Sequence, residues 1–239
     1  EGRAARVCVC VCVLLITECT TENVVFCSRF IEKQFFLMNV QLKSSRLINK
    51  IKNQRFFILL MKSNKKAESI AKGIKLLILD VDGVMTDGGM YMTENGDQMK
   101  KFNTKDGMAI IHLTKSNFPV AIISSGFKGE AVTSRANTLG IQYCSVNREP
   151  KLDRLNKICS ELSIDLSNVA MIGDDINDYH LIKAVGLSAC PADASFIIQE
   201  TAHWTLSKKG GEGVFREFVE RIFAEAGKMD ALIHKITVA

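Results

Sequence analysis

The chain has 239 residues, 47% of them hydrophobic and 24% charged, with a formal net charge of +5. This is the composition of a soluble globular protein of one or two domains. The charge is uneven, with a balance of +8 over residues 1–73 and −3 over residues 74–239, so the main domain is expected to bind no nucleic acid.

Five of the eight cysteines fall in the first 27 residues, three of them in Val7-Cys-Val-Cys-Val-Cys-Val13. That spacing suits no zinc site, and the apolar stretch is too short to span a membrane. Alternating Val and Cys is what a GT dinucleotide repeat encodes. Residues 1–73 are therefore expected to be disordered or a spurious upstream extension, with Met61 the natural start and Met38 the second choice. Cys144, Cys159 and Cys190 sit among apolar neighbours and read as buried small hydrophobes of a reducing, cytoplasmic compartment.

From Ile74 the pattern becomes regular. Lys75–Leu79 runs without alternation into Asp80, the signature of a strand buried on both faces. Asn95-Gly96 between two short β-prone runs, Gly89–Met92 and Gln98–Phe102, predicts a hairpin. A helix is expected from Asp106, as N-cap, to about Asn117, then a buried strand over Pro119–Ser124. Next come a helix over Gly129–Leu139 closed by Gly140, a strand at Ile141–Cys144, an amphipathic helix over Lys151–Leu162 and a strand at Val169–Ile172. Leu181–Val185, Leu187–Ala189, Ser195–Glu200 and His203–Leu206 continue the alternation, and a last helix covers Val214–Ala226. Lys208–Gly213 resembles a phosphate loop but is read as a flexible turn. Helices alternating with strands predict right-handed βαβ units and a doubly wound, three-layer α/β fold on a parallel sheet.

Chemistry-bearing residues recur at one edge of that sheet. Asp80 and Asp82 follow the first strand, Ser124 the second, and Asp174, Asp175 and Asp178 the fourth, while Lys151 opens a helix against its dipole. Ligands bind outside the carboxyl ends of strands in open α/β sheets. Carboxylates two apart on an extended segment face the same way and need a cation or a shared proton; Mg²⁺ held by oxygen ligands would serve. Taken alone, Asp-Val-Asp-Gly equally suits a strand followed by an Asx turn, and Ser124 a turn residue.

The longer string Asp80-x-Asp82-Gly83-Val-x-Thr86-Asp87-Gly88 resembles the first motif of the haloacid dehalogenase superfamily of phosphatases. The resemblance implies an aspartyl-phosphate mechanism, with Asp80 as nucleophile and Asp82 as general acid and base. It further implies Mg²⁺ on Asp80, the Asp82 carbonyl and Asp174, with Asp175 in support. Ser124 and Lys151 would hold phosphoryl oxygens, and Asp178 would orient Lys151 or the metal shell. Within the superfamily, residues from about Ile74 to Lys228 are similar to the 3-deoxy-D-manno-octulosonate 8-phosphate phosphatases. The similarity rests on Lys101-Phe102-Asn103-x-x-Asp106-Gly107, Gly173-Asp-Asp-Ile-Asn-Asp178, Pro191-Ala-Asp-Ala194 and Gly210-Gly-x-Gly-x-x-Arg216-Glu217. Phosphatases of nine-carbon sialic-type acids share the scaffold, as does the C-terminal module of cytidylyl-sialate synthetases, whose non-catalytic assembly role is the alternative reading.

The implied substrate is therefore a phosphorylated eight- or nine-carbon 3-deoxy sugar acid. Thr86, Asp87, Lys105, Gly126, Lys128 and Arg216 are the candidate substrate contacts. Many members carry Arg where this chain has Gly126, and Lys128, Lys105 or Arg216 is expected to replace it. No cap domain fits between Asp87 and Asp106, which leave room for a hairpin flap over about residues 88–103. A capless site would be closed by assembly, so a homotetramer is expected, with a neighbouring subunit over each site.

Overall fold

A computed structural model describes residues 69–126, 129–231 and 233 of the chain. The expected N-terminal extension falls almost wholly on residues 1–68, which lie outside the described residues, as does Lys128.

The first strand, β1 (Leu76–Leu79), is buried along its whole length. Its side chains alternate between two cores: Leu77 and Leu79 join one apolar cluster, Leu76 and Ile78 the other. An uninterrupted apolar run is what a strand covered on both faces requires, and each such side chain contributes about 1.5–3 kcal/mol. Ile70 and Ala71 pack into the first core, ahead of Ile74.

The hairpin follows as β2 (Tyr91–Met92) and β3 (Gln98–Met99), antiparallel with Tyr91 opposite Met99. Both strands are shorter than the expected runs. The helix α1 (Thr104–Lys115) begins before Asp106, because Asn103, not Asp106, is its N-cap and accepts from the Lys105 N–H at 2.8 Å. Asp106 is turned to another helix, as described below.

The remaining elements are β4 (Val120–Ser124), α2 (Glu130–Thr138), β5 (Tyr143–Val146), α3 (Lys151–Leu162), β6 (Val169–Ile172), α4 (Tyr179–Ala184), β7 (Leu187–Cys190), α5 (Phe196–Thr201), β8 (Trp204–Thr205) and α6 (Val214–Glu225). The second strand in this set, β5, starts two residues later than the sequence pattern suggests. Ile141 is drawn back to end α2, its N–H donating to Ala136 O at 3.0 Å beyond Gly140 at φ 72°. This is a Schellman closure, and it withholds Ile141 from the sheet.

Six strands form one parallel sheet in the order β5-β4-β1-β6-β7-β8. From β1 the chain moves outward through β4 and β5, then returns across the sheet to β6, β7 and β8. The carboxyl ends of β4, β1 and β6 thus flank the switch in direction, where a crevice opens. Helices cover both faces, giving the expected doubly wound three-layer α/β architecture. Among the described residues only the hairpin is inserted between β1 and α1, and no helix is long and apolar enough to cross a membrane.

Candidate active site

Asp80 follows β1 directly and is buried. Beyond it the chain turns sharply through Val81–Met85, with Gly83 at φ +79°. Glycine is required there twice over: L-residues disfavour that φ, and a Cβ would run into the Asp174 carboxylate. The turn is closed by the Thr86 N–H, which donates to Val81 O at 3.0 Å.

Asp174, next but one after β6, and the fully buried Asp178 approach Asp80 from the adjacent strand end. One carboxylate oxygen from each of the three lies within 4.8 Å of the others. Gly173 makes room for this, since a Cβ would press on the Asp178 carboxylate. Lys151 opens α3 and is buried; its ammonium sits 2.7 Å from Asp178 Oδ1 and 3.1 Å from Asp80 Oδ1. The other Asp178 oxygen accepts from the Asp174 N–H at 3.2 Å. Both oxygens of Asp178 are therefore committed.

One ammonium does not balance three carboxylates. Burial, then the Asp178 charge, push the Asp80 carboxyl up against the opposing pull of Lys151. Burial, then Asp80 and Asp175, raise Asp174 to about 7. Burial disfavours the Lys151 charge, but Asp80 and Asp178 outweigh it and hold its pKa above the usual value. Asp174 Oδ1 is buried and accepts no hydrogen bond, and Asp80 Oδ1 has the Lys151 ammonium as its partner. Clustered carboxylate oxygens with one ammonium among them are a fit for a hard divalent cation, which would supply the missing charge.

Ser124 ends β4, buried, with its Oγ accepting from the Gly126 N–H at 3.4 Å. Arg154, one turn beyond Lys151, donates through Nη1 to Ser124 O and to Ser145 O, each at 3.0 Å, and so ties the ends of β4 and β5 together. Asp82 is half-exposed, and its carboxylate is held by the Lys100 ammonium from the end of the hairpin. Arg154 and Lys100 escape a reading of the sequence. A cation on the apolar face of α3 was the available signal for the first; nothing local marks the second.

The other expected residues are placed differently. Asp175 is exposed, and its charge helps to raise Asp174. Thr86 is buried, and its Oγ1 accepts from the Gly88 N–H at 3.3 Å and lies 3.3 Å from Val81 O, so it shapes the loop. Asp87 is the hairpin's anchor: it accepts from the Tyr91 hydroxyl at 2.8 Å and from Lys101 at 3.2 Å. Its carboxyl is held below its usual range by the Tyr91 hydrogen bond first, then by the Gly89 N–H and Lys101. Lys105 is exposed, and Arg216 turns along its own helix to Glu220 at 2.6 Å.

The turn at Lys208–Gly213, expected to be flexible, is pinned to the site. The Gly211 N–H donates to Val84 O at 3.0 Å, the Gly210 N–H to Asp193 Oδ1 at 3.0 Å, and Asn103 Nδ2 to Gly211 O at 3.0 Å. A Cβ at Gly210 would meet the Gly83 carbonyl. Three separate motifs thus converge on the back of the Asp80 loop.

The profile of the haloacid dehalogenase-like hydrolases matches residues 130–218, which carry Lys151 and the aspartates at the carboxyl end of β6. Over 160 residues the chain is 40% identical to 3-deoxy-D-manno-octulosonate 8-phosphate phosphatase KdsC of Salmonella typhi, covering 67% of this chain and 85% of that one. The crystal structure of the phosphatase of that name from Yersinia pestis superposes with a TM-score of 0.66 at 38% identity, covering 69% of this chain and 89% of the other. The Moraxella catarrhalis phosphatase, solved with magnesium, phosphate and KDO, gives 0.67 at 30% identity, covering 72% and 98%. The chain belongs to this family of phosphomonoester hydrolases.

Proposed function

We propose that the chain hydrolyses 3-deoxy-D-manno-octulosonate 8-phosphate to the free sugar acid and phosphate. The observation that carries this reading is the cluster of buried carboxylate oxygens of Asp80, Asp174 and Asp178 around the single Lys151 ammonium, with Asp174 Oδ1 accepting no hydrogen bond. Phosphoryl transfer needs positioning and charge neutralisation around a trianionic group, and this is a site of that kind. The curated relatives, named for this substrate, support the choice of sugar acid.

Asp80 is the nucleophile. One of its oxygens forms a bond to phosphorus while the bond to the sugar oxygen breaks, and that oxygen takes a proton from Asp82. Asp82 then accepts a proton from water, whose oxygen attacks phosphorus and releases Asp80. Ser124 and Lys151 bind phosphoryl oxygens, and Asp178 orients Lys151. Mg²⁺, held by Asp80, the Asp82 carbonyl and Asp174, supplies charge neutralisation when bound, as the magnesium complex of the Moraxella catarrhalis relative supports.

The hairpin exposes Met90, Tyr91, Met92 and Met99, which favours burial against other copies of the chain in a homotetramer that closes each site. The free Cys144 and Cys159 among the described residues suit a reducing, cytoplasmic setting.

Phosphate release from a panel of phosphorylated eight- and nine-carbon acids tests the reading. The octulosonate 8-phosphate is expected to be the best substrate, with turnover lost in EDTA and in Asp80→Asn. Preference for a nine-carbon acid would move the substrate to the sialic type. Binding of these acids without any phosphate release would favour the assembly module, and full activity in Asp80→Asn would remove the covalent mechanism.

A further inference from the structure

Lys100 and Lys101 leave β3 side by side and go to different places. Lys101 is 68% exposed and pairs with Asp87 on the outside, whereas the Lys100 side chain is 14% exposed and its ammonium rests on Asp82 Oδ1. Asp87 already anchors the hairpin stem through Tyr91 and Lys101. A second latch made from a desolvated cation on the one carboxyl that must handle a proton is not needed for the fold.

The contact has a consequence for the leaving-group half of the reaction. With the ammonium on Oδ1, the free oxygen of Asp82 is Oδ2, and the rotation of the carboxyl is constrained. A carboxylic acid whose carbonyl oxygen accepts from an ammonium presents its hydroxyl in one direction. The ammonium also brings positive charge to the carboxyl that serves the leaving oxygen, on a side chain that is itself largely buried.

We propose that Lys100 is a positioning residue for leaving-group departure: it holds Asp82 so that Oδ2 delivers its proton to the sugar oxygen, and it adds positive charge beside that oxygen. The inference rests on the phosphatase reading above and goes beyond it by assigning the hairpin a part in the chemistry. Lys100 takes no proton and forms no bond. The phosphorus–oxygen bond that breaks and the proton that moves from Asp82 are those already described.

Leaving-group dependence separates this role from a latch. An alkyl sugar oxygen needs the proton from Asp82, whereas p-nitrophenolate departs without one. Both substrates are measured with the full chain in Mg²⁺, for wild type, Lys100→Met, Lys100→Arg and Lys101→Met. Lys100→Met is expected to lower kcat on the octulosonate phosphate about 100-fold and on p-nitrophenyl phosphate less than about 3-fold, as loss of assisted proton transfer implies. Lys100→Arg is expected to recover most of the loss, and Lys101→Met to affect the two substrates alike. Equal losses on both substrates in Lys100→Met, or none, overturn the inference while leaving the phosphatase reading intact. Should Lys100→Met not fold, Lys100→Gln is measured in its place, and equal losses on the two substrates, or none, overturn the inference there in the same way. A wild type inactive on both substrates overturns the phosphatase reading, and this one with it.

Discussion

Lys151 Nζ stands 2.7 Å from Asp178 Oδ1, a pair in which neither side chain is more than 3% exposed. The same carboxylate receives the Asp174 N–H, so one residue fixes both the cation and the loop that carries Asp174. Breaking a buried pair leaves a charge without its partner, at a cost of about 3–5 kcal/mol. Asp178→Asn is expected to lower Tm by roughly 10 °C and to abolish most turnover. In Lys151→Met the carboxylates lose the ammonium that pairs with them among the described residues, and Mg²⁺ is expected to restore part of the lost stability by occupying the gap in charge. Thermal melts in EDTA and in Mg²⁺ measure this; identical losses in the two buffers would speak against a cation between Asp80 and Asp174.

Gly83 and Gly96 have nearly the same backbone, at φ 79° and 81°, in different surroundings. A Cβ at Gly83 meets the Asp174 carboxylate, while a Cβ at Gly96 meets nothing within 4 Å. Both alanine variants should lose about 1–2 kcal/mol from the left-handed conformation. Only Gly83→Ala is expected to weaken metal binding and activity, by at least about 10-fold, because it displaces a proposed ligand. Magnesium titrations of the two variants, compared at equal stability, decide the matter.

The Asp106 carboxylate caps α6 from another helix, with Oδ1 accepting the Arg216 N–H at 2.8 Å and Oδ2 buried without a partner. Burial raises it to about 6, against the pull of the Arg216 N–H and Lys208. A carboxyl with a folded pKa above its unfolded value binds protons more tightly when folded, so its contribution favours the fold at low pH. That contribution is lost as pH rises from about 4 to about 6. Asp106→Asn keeps the cap and removes the titration. Relative to wild type it is expected to gain on the order of 2 kcal/mol between pH 4 and pH 7.5 in denaturant melts without metal. Parallel pH curves for the two proteins would contradict this assignment.

The hairpin's Met90 and Met99 are 68% and 60% exposed, more than a two-stranded ribbon of this length tolerates in isolation. Replacing residues 89–102 by a short turn is expected to give monomers by light scattering that retain the metal site and lose most activity on the sugar phosphate. A native protein that is monomeric and fully active would refute closure by neighbouring subunits.

Much of this site could be read before the fold was in view. The apolar run into Asp80 specifies a doubly covered strand wherever it lies, and its neighbours in the sheet reach the same edge because parallel βαβ units place every strand's carboxyl end on one side. Asp80, Ser124, Asp174 and Asp178 stand out for that reason, and Lys151 as a cation that opens a helix against its dipole. Element ends were less so: Asp106 looks like a helix cap by position, yet Asn103 takes that place and Asp106 serves a helix 110 residues away.

Periodicity and turn residues are local, so the chain by itself determined the order of strands and helices, the two-faced burial of β1 and the sequence of carboxylates at strand ends. Partnership between charged side chains is not local. Lys100 on Asp82, Arg154 behind Ser124 and the glycine-rich turn against Gly83 all join segments that only the crossovers and the hairpin bring together. A long, flexible ammonium or guanidinium can reach several sites from one backbone position, and which carboxylate or carbonyl it meets depends on the desolvated space left after the elements pack. That choice belongs to the tertiary structure.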